Sequence, residues 1–381
     1  MYSLSDYAAM IADDVRLDAY ARALAACVRP GDVVADIGSG AMAALSMMAC
    51  RLGARQVFAI EPDDVIDVSR EIARVNGCLD RIVFIQDIST RVTLPAPADV
   101  VVSDLRGILP WFKGNIPAIQ DARARLLAPG GRLIPQRDVV WAAPVCAEAK
   151  YRGRVSPRPA AAPFDWAPLV QLTANAWFSC RLGAEALLAA PCAWQTLDYD
   201  QVTDLDASGL VGFEVHKTAN GHGLLLWFDT VLAPGVGFSN APGMGTERIY
   251  GPALFPWPEA VPLAAGDHME VEIGAHLIDD DYVWRWNTKV EDSSGRLKAE
   301  FRQSTFQAAA LNPERLRRLD LNHRPVLSED GEIEQFTLSL MRGNINVAAI
   351  AEALHERFPS AFATAREARA RAVQLSARFG R

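Results

Sequence analysis

Val34-Ala35-Asp36-Ile37-Gly38-Ser39-Gly40, with Glu61 twenty-one residues beyond Gly40, decides how this chain folds. An apolar run ending in Asp-x-Gly-x-Gly reads as a buried parallel strand that breaks into a glycine turn. Glycines at such a turn let the backbone come close to a ligand. A second apolar run, Gln56-Val57-Phe58-Ala59-Ile60, ends in the acid Glu61. An acid at the tip of the second strand of such a unit is placed to accept hydrogen bonds from a ribose diol. The pair of motifs therefore predicts a site for an adenosine-containing ligand.

Outward from these motifs, short apolar runs at 33–37, 56–60, 82–86, 99–103, 132–134 and 138–142 alternate with helical stretches. That alternation predicts an α/β fold with a doubly wound, mostly parallel Rossmann-like sheet. Its ligand site should lie at the carboxyl ends of the strands, where Asp36, Glu61, Asp87 and Asp104 fall. Apolar positions from Tyr7 to Val28 predict one helix over 6–28, ended by Pro30-Gly31.

Beyond residue 140 the texture changes. A proline-rich connector over 153–168 precedes an apolar stretch at 169–190, which reads as helical. Alternating runs at 212–215, 223–229, 269–273 and 282–286, with turn residues such as Asn220-Gly221, predict an antiparallel β-barrel or sandwich. Residues 325–331 read as a short strand and turn, and 333–341, 347–358 and 363–379 as helices. Three domains are expected: 1–140, a ligand-binding Rossmann-like domain; 141–310, a barrel substrate domain; and 311–381, a small α+β or helical domain.

Composition narrows the function classes. The 381 residues are half hydrophobic and 22% charged, with a formal net charge of −8. Nucleic-acid binding needs clustered Lys and Arg, so it is not expected. The six cysteines, at 27, 50, 78, 146, 180 and 192, show no C-x-x-C spacing. No metal site or disulfide framework is expected from them. No apolar run approaches the ~20 residues that span a bilayer, and Met1 to Asp6 opens no secretory leader, so a cytoplasmic protein without a membrane partner is expected.

A dinucleotide site uses a third glycine to seat a pyrophosphate, and position 43 is Ala. Some dinucleotide sites accept that residue. The form Asp-x-Gly-Ser-Gly, with an acid about twenty residues on, resembles the first motif of class I S-adenosylmethionine methyltransferases. With the barrel and the insertion between, residues 2–305 resemble the protein arginine N-methyltransferase family. Further matches are Tyr7-Ala8-Ala9-Met10-Ile11-Ala12-Asp13-Asp14-Val15-Arg16, Phe255 and Gly266-Asp267.

The resemblance implies S-adenosyl-L-methionine as cofactor and a set of roles. Met10 would lie against the donor and Arg16 would hold its carboxylate; the alternatives are core packing for Met10 and an ion pair with Asp13 or Asp14 for Arg16. Asp36, Gly38 and Gly40 would pass under the methionine moiety. Glu61 would take the ribose hydroxyls, and Ile88 and Ser89 would edge the adenine. The segment near 169–190 stands where the family has a dimerisation arm, which implies a homodimer.

The family holds its substrate guanidinium with two glutamates nine residues apart. Here those positions read Asp104 and Lys113, so the second charge is reversed. The family's Thr-His-Trp loop is replaced by Gly245-Thr246-Glu247-Arg248-Ile249-Tyr250, in which Glu247 is an acid available to compensate. The expectation is methyl transfer to a peptide, a protein or a small polar acceptor other than arginine. Asp104 would orient or deprotonate the nucleophile, and Arg106, Trp111, Lys113 and Tyr250 would shape the acceptor site, with core packing the alternative for Trp111. Rival readings are a non-catalytic donor-binding scaffold, an arginine methyltransferase with an altered clamp, and a nucleotide-dependent oxidoreductase. The tail resembles a small winged-helix leader-peptide module of the pyrroloquinoline quinone biosynthesis type, on Arg324-Pro325-Val326-Leu327 and Gly343-Asn344-Ile345-Asn346-Val347.

Overall fold

A computed structural model describes residues 3–156, 164–245 and 249–380. Glu247 and the prolines between 157 and 163 lie outside the described residues. The chain divides into two compact units, 1–310 and 311–381.

Unit one opens with α1 (Leu4–Ile11) and α2 (Asp14–Cys27) rather than one continuous helix. Asp13 causes the break. Its side chain caps α2 by accepting from Arg16 N at 3.1 Å, and a capping Asp competes with helical continuation. There follow β1 (Val33–Ile37), α3 (Ala44–Arg51), β2 (Gln56–Ile60), α4 (Ile66–Val75), β3 (Ile82–Ile85), β4 (Ala98–Ser103), α5 (Asn115–Arg125) and β5 (Leu127–Ile134). The five strands form one parallel sheet in the order β3-β2-β1-β4-β5. Every residue of β1 is buried, as expected for a strand covered on both faces.

The run near 138–142 does not join that sheet. As β6 (Arg137–Val145) it opens the antiparallel part, where it pairs with the long strand of residues 219–233. Then come α6 (Glu148–Arg154), α7 (Ala167–Thr173), β7 (Phe178–Ser179), β8 (Cys192–Asp198), β9 (Ala207–Glu214), β10 (Ala219–Ala233), β11 (Val236–Ser239), β12 (Ala253–Leu263), β13 (His268–Ile278), β14 (Asp281–Glu291) and β15 (Leu297–Ser304). One sheet runs β7-β12-β10-β6-β8, with β11 on β10; a second runs β15-β14-β13-β9. Their inner faces share one core with β1 and β4, in which Phe255 meets Trp284 and Trp286 at ring distances of 5.3 and 5.1 Å.

The helix expected over 169–190 is only the seven-residue α7. Beyond it the apolar residues turn inward: Phe178, Leu182 and Leu187 pack on the core around Trp227 and Leu254, and Trp177 stacks on Phe255. Burial against the sheet outweighs their helical spacing.

In unit two, α8 (Pro313–Arg318), α9 (Glu329–Met341), α10 (Val347–Arg357) and α11 (Ala365–Phe379) are capped by Asn312, Ser328, Asn346 and Thr364. The strand expected at 325–331 is absent among the described residues, because Ser328 is spent capping α9 through Gly331 N. The unit is helical, with none of a winged helix's strands among the described residues. Its core of Ile333, Ile350, Leu354, Phe362, Ala368 and Ala372 draws on its own helices and the segment between α10 and α11.

Candidate functional site

The chain leaves β1 at Ile37 and turns through Gly38 and Gly40, both left-handed with φ of +72° and +62°. A Cβ on Gly38 would sit 2.3 Å from the Leu105 side chain, and one on Gly40 2.7 Å from the Tyr7 ring. Glycine is required at both, for the turn and for these close approaches. Gly38 N and Ser39 N donate to Ile60 O at 2.9 and 3.1 Å. Gly40 N donates to Glu61 Oε2 at 3.0 Å, and Asp63 N to Glu61 Oε1 at 3.1 Å. The two motifs quoted at the outset are thus bonded to one another. Burial raises the Glu61 carboxyl above its ordinary range, and the two backbone donors oppose that rise.

Asp36 lies deeper, beneath the turn. Its Oδ2 accepts from Ser46 N at 3.0 Å and Ser46 Oγ at 2.6 Å, while Oδ1 has no partner among the described residues. Burial pushes this carboxyl up to about 6, against the pull of the Ser46 hydrogen bonds.

Opposite stands a pair drawn from α2 and the tip of β4. Arg16 Nη1 donates to Asp104 Oδ2 at 2.5 Å, and Nη2 to Met10 O at 2.5 Å. Asp104 Oδ1 accepts from Tyr20 OH at 2.9 Å. Burial works against the charge on Arg16, but Asp104 holds the guanidinium's pKa above its ordinary value. Asp13 Oδ2 accepts from Ile249 N at 3.0 Å, so the helix cap also holds the barrel loop that carries Tyr250.

One cavity of about 400 Å³ brings together Met10, Arg16, Asp36, Gly38, Gly40, Glu61, Ile88, Ser89, Asp104, Lys113 and Tyr250. Two of the expected residues stay out of it. Arg106 is 1% exposed and sealed behind the site. It donates to Asp138 at 2.8 Å, Thr230 at 2.5 Å and Tyr20 at 3.0 Å, and lies over the rings of Phe228 and Phe238. Trp111 is 4% exposed and packs on Trp194 at 5.2 Å. Both residues are core: loop 104–113 curls inward at Gly107, where φ is +60°, and Phe112 closes over that glycine.

Tyr7, Phe112 and Asn115 line the cavity, and Tyr20 orients Asp104, without having been singled out from the sequence. Tyr7 stands three residues before Met10 and Tyr20 four after Arg16, which puts each on the same helix face as its neighbour and is the signal that would have found them. Among the described residues no group of three or more His, Cys, Asp or Glu side chains is arranged to hold a metal ion, and no helix is long and apolar enough to cross a membrane.

Residues 19–134 match the family model for ribosomal protein L11 methyltransferase (PrmA). The chain is 32% identical over 149 residues to "Probable protein arginine N-methyltransferase 6.1" of Oryza sativa subsp. indica, a match that covers 39% of each protein. It is 24% identical over 248 residues to "Probable protein arginine N-methyltransferase 6" of Arabidopsis thaliana, covering 63% of this chain and 56% of that one. The chain thus spans between about two fifths and a little over half of these curated relatives. Among solved structures, the Trypanosoma brucei PRMT1 enzyme–prozyme heterotetrameric complex with AdoHcy superposes with a TM-score of 0.71 at 19% identity, over 78% of this chain and 96% of that one. Arabidopsis thaliana protein arginine methyltransferase 10 does so with a TM-score of 0.67 at 18% identity, over the same shares. A parallel sheet with a glycine turn bonded to an acid, followed by two antiparallel sheets, is the fold these protein arginine methyltransferase structures share with this chain.

Proposed function

We propose that the chain binds S-adenosyl-L-methionine and transfers its methyl group to a polar acceptor at the β4 side of the cavity. The observation that carries this reading is a single cavity lined both by the Glu61-bound glycine turn and by the Arg16–Asp104 pair. Asp36 Oδ1, Ser39 Oγ and Arg16 Nε all belong to residues lining the cavity, are buried and have no hydrogen-bond partner among the described residues. Buried polar atoms are costly when unpaired, and a ligand with hydroxyl, amino and carboxylate groups supplies the partners they lack.

Arg16 would hold the donor carboxylate, since a guanidinium grips that group bidentately. Glu61 would accept from the ribose hydroxyls, Met10 would lie against the methionine moiety, and Ile88 and Ser89 would border the adenine. Bound S-adenosyl-L-methionine supplies an electrophilic methyl group on a sulfonium. Asp104, held by Tyr20 and Arg16, orients the nucleophile and takes up its proton.

The acceptor proposed is a peptide, protein or small polar molecule other than a guanidinium. Support comes from Lys113, which stands where a second acid would be needed, and from Asp104, which shares the Arg16 guanidinium even when the donor carboxylate is bound. A guanidinium would meet one shared carboxylate and one exposed ammonium, and a like charge at such a solvated position disfavours it by up to about 1 kcal/mol. The names of the relatives favour the second reading, arginine methylation. It requires the donor carboxylate to draw Arg16 away and leave Asp104 free for the substrate.

Two measurements test the proposal. S-adenosyl-L-methionine should raise the melting temperature in proportion to ~RT ln(1+[L]/Kd), and dinucleotides should not. Radiolabelled-methyl transfer to arginine-rich peptides, histones and free arginine should be negligible; robust formation of methylarginine would establish the second reading. A homodimer is also proposed, through the exposed Phe164, Trp166 and Leu169 at the start of α7. Light scattering should then return about twice the 41.5 kDa chain mass.

A further inference from the structure

We propose that Lys113 selects the acceptor, favouring one that carries a carboxylate beside the methylated atom. This deepens the methyl-transfer reading and rests on it. Among the described residues, two cations line the cavity, Arg16 and Lys113. Arg16 is committed to Asp104 and to Met10 O. Lys113 Nζ makes no ion pair or hydrogen bond among the described residues, and lies over the Phe112 ring at 5.1 Å.

Charge is divided unevenly across the cavity. Asp36, Glu61, Asp63 and Asp87 follow β1, β2 and β3, on one side of the strand order. Among the described residues the β4 side holds Asp104 with Arg16 and Lys113, one more cation than acid. With Arg16 engaged by Asp104 and the donor carboxylate, an acceptor entering there meets Lys113 as the cation that no acid pairs among the described residues. A guanidinium or ammonium is disfavoured at that mouth, and a carboxylate finds an unoccupied donor of three hydrogen bonds.

The backbone fixes the point from which the exposed Lys113 side chain leaves the loop. Its φ is +43°, a left-handed conformation that a side chain with a Cβ rarely adopts. Phe112 beside it is fixed by packing over Gly107, where a Cβ would lie 2.8 Å from the ring. A side chain held at a strained position on the wall of a cavity fits a recognition role better than an arbitrary surface charge.

The test uses the full chain and two randomised octapeptide pools that differ at one fixed position, Glu in one and Gln in the other. Calorimetry with S-adenosylhomocysteine first establishes donor-site binding; failure there sinks the methyl-transfer reading itself. Radiolabelled methyl transfer is then expected to favour the Glu pool about 3- to 5-fold, as befits one charge at a solvated rim. Lys113→Met should equalise the pools and Lys113→Glu should invert them, while high salt should shrink the wild-type preference. Free glutamate against free glutamine, run in parallel, separates a small-molecule acceptor from a peptide. Equal transfer into both pools, a preference that survives in Lys113→Met, or no transfer to any of these acceptors by protein that binds S-adenosylhomocysteine would overturn the proposal.

Discussion

Arg16 and Asp104 are joined at 2.5 Å across eighty-eight residues of sequence, so one ion pair ties the second helix to the tip of the fourth strand. The pair sets up a competition. A guanidinium that also receives a ligand carboxylate must share its donors between two acids. Asp104→Asn removes one competitor while keeping an oxygen for Tyr20 OH. The expected result is unchanged or tighter binding of S-adenosyl-L-methionine together with a fall in kcat of ~10²-fold or more, the usual range for loss of a general base. Weakened donor binding with kcat intact would show that Asp104 serves only to position Arg16.

Glu61 spends one carboxylate oxygen on Gly40 N and the other on Asp63 N, which leaves further lone pairs facing the cavity. Glu61→Ala therefore loosens the glycine turn and removes the ribose acceptor at once. Donor affinity should drop by ~1.5–3 kcal/mol, on the order of 10- to 100-fold in Kd. Calorimetry giving the wild-type Kd would refute the assignment of this end of the cavity.

Arg106 is expected to affect stability and not the acceptor. Arg106→Ala leaves the Asp138 carboxylate, which is fully buried, with Tyr199 as its remaining hydrogen-bond partner among the described residues. Breaking a buried pair in this way costs ~3–5 kcal/mol, so thermal unfolding should shift down by roughly 6 °C or more. A melting temperature within a degree of wild type, with a raised KM for an acceptor, would return Arg106 to the substrate site.

The features that could be read from the sequence share a property: they are local. Strand β1, the turn at Gly38 and Gly40, and Glu61 follow from apolar runs and glycine positions within thirty residues of one another. The burial of Arg106, and the core alternative for Trp111, depend on distant strands; Thr230 and Trp194 lie more than eighty residues away. The stretch 169–190 failed similarly, since Trp177 and Leu187 carry helical spacing but find a sheet to pack on. Spacing reports which residues share a face, and not what that face will meet.

Unit two should fold by itself. Its core residues all come from α9, α10, α11 and the segments between them, and each of its helices carries its own N-terminal cap. A fragment of residues 311–381 is expected to be helical by circular dichroism and to melt cooperatively. A fragment with a random-coil spectrum would show that the unit depends on the rest of the chain.

Asp36 predicts a pH dependence whose sign is opposite to that of a paired carboxylate. In the folded chain its carboxyl is raised to about 6, against 3.8 as the ordinary value, chiefly by burial. Below the ordinary value it is protonated in both folded and unfolded states and favours neither. As pH rises toward 6 the unfolded chain gives up the proton first, so stability falls across that window. Above 6 the full cost of a buried charge is present, about 3 kcal/mol for a shift of roughly two units. Asp36→Asn removes the charge while its amide oxygen still accepts from Ser46 N and Oγ. Without added ligand, the variant is expected to melt above wild type at pH 8, with the gap narrowing between pH 6 and pH 4 and closing below that. Melting curves at matched ionic strength decide it. A variant less stable than wild type at pH 8 would mean that the carboxylate's two Ser46 hydrogen bonds outweigh its burial, and that Oδ1 is better solvated than its position beneath the glycine turn implies.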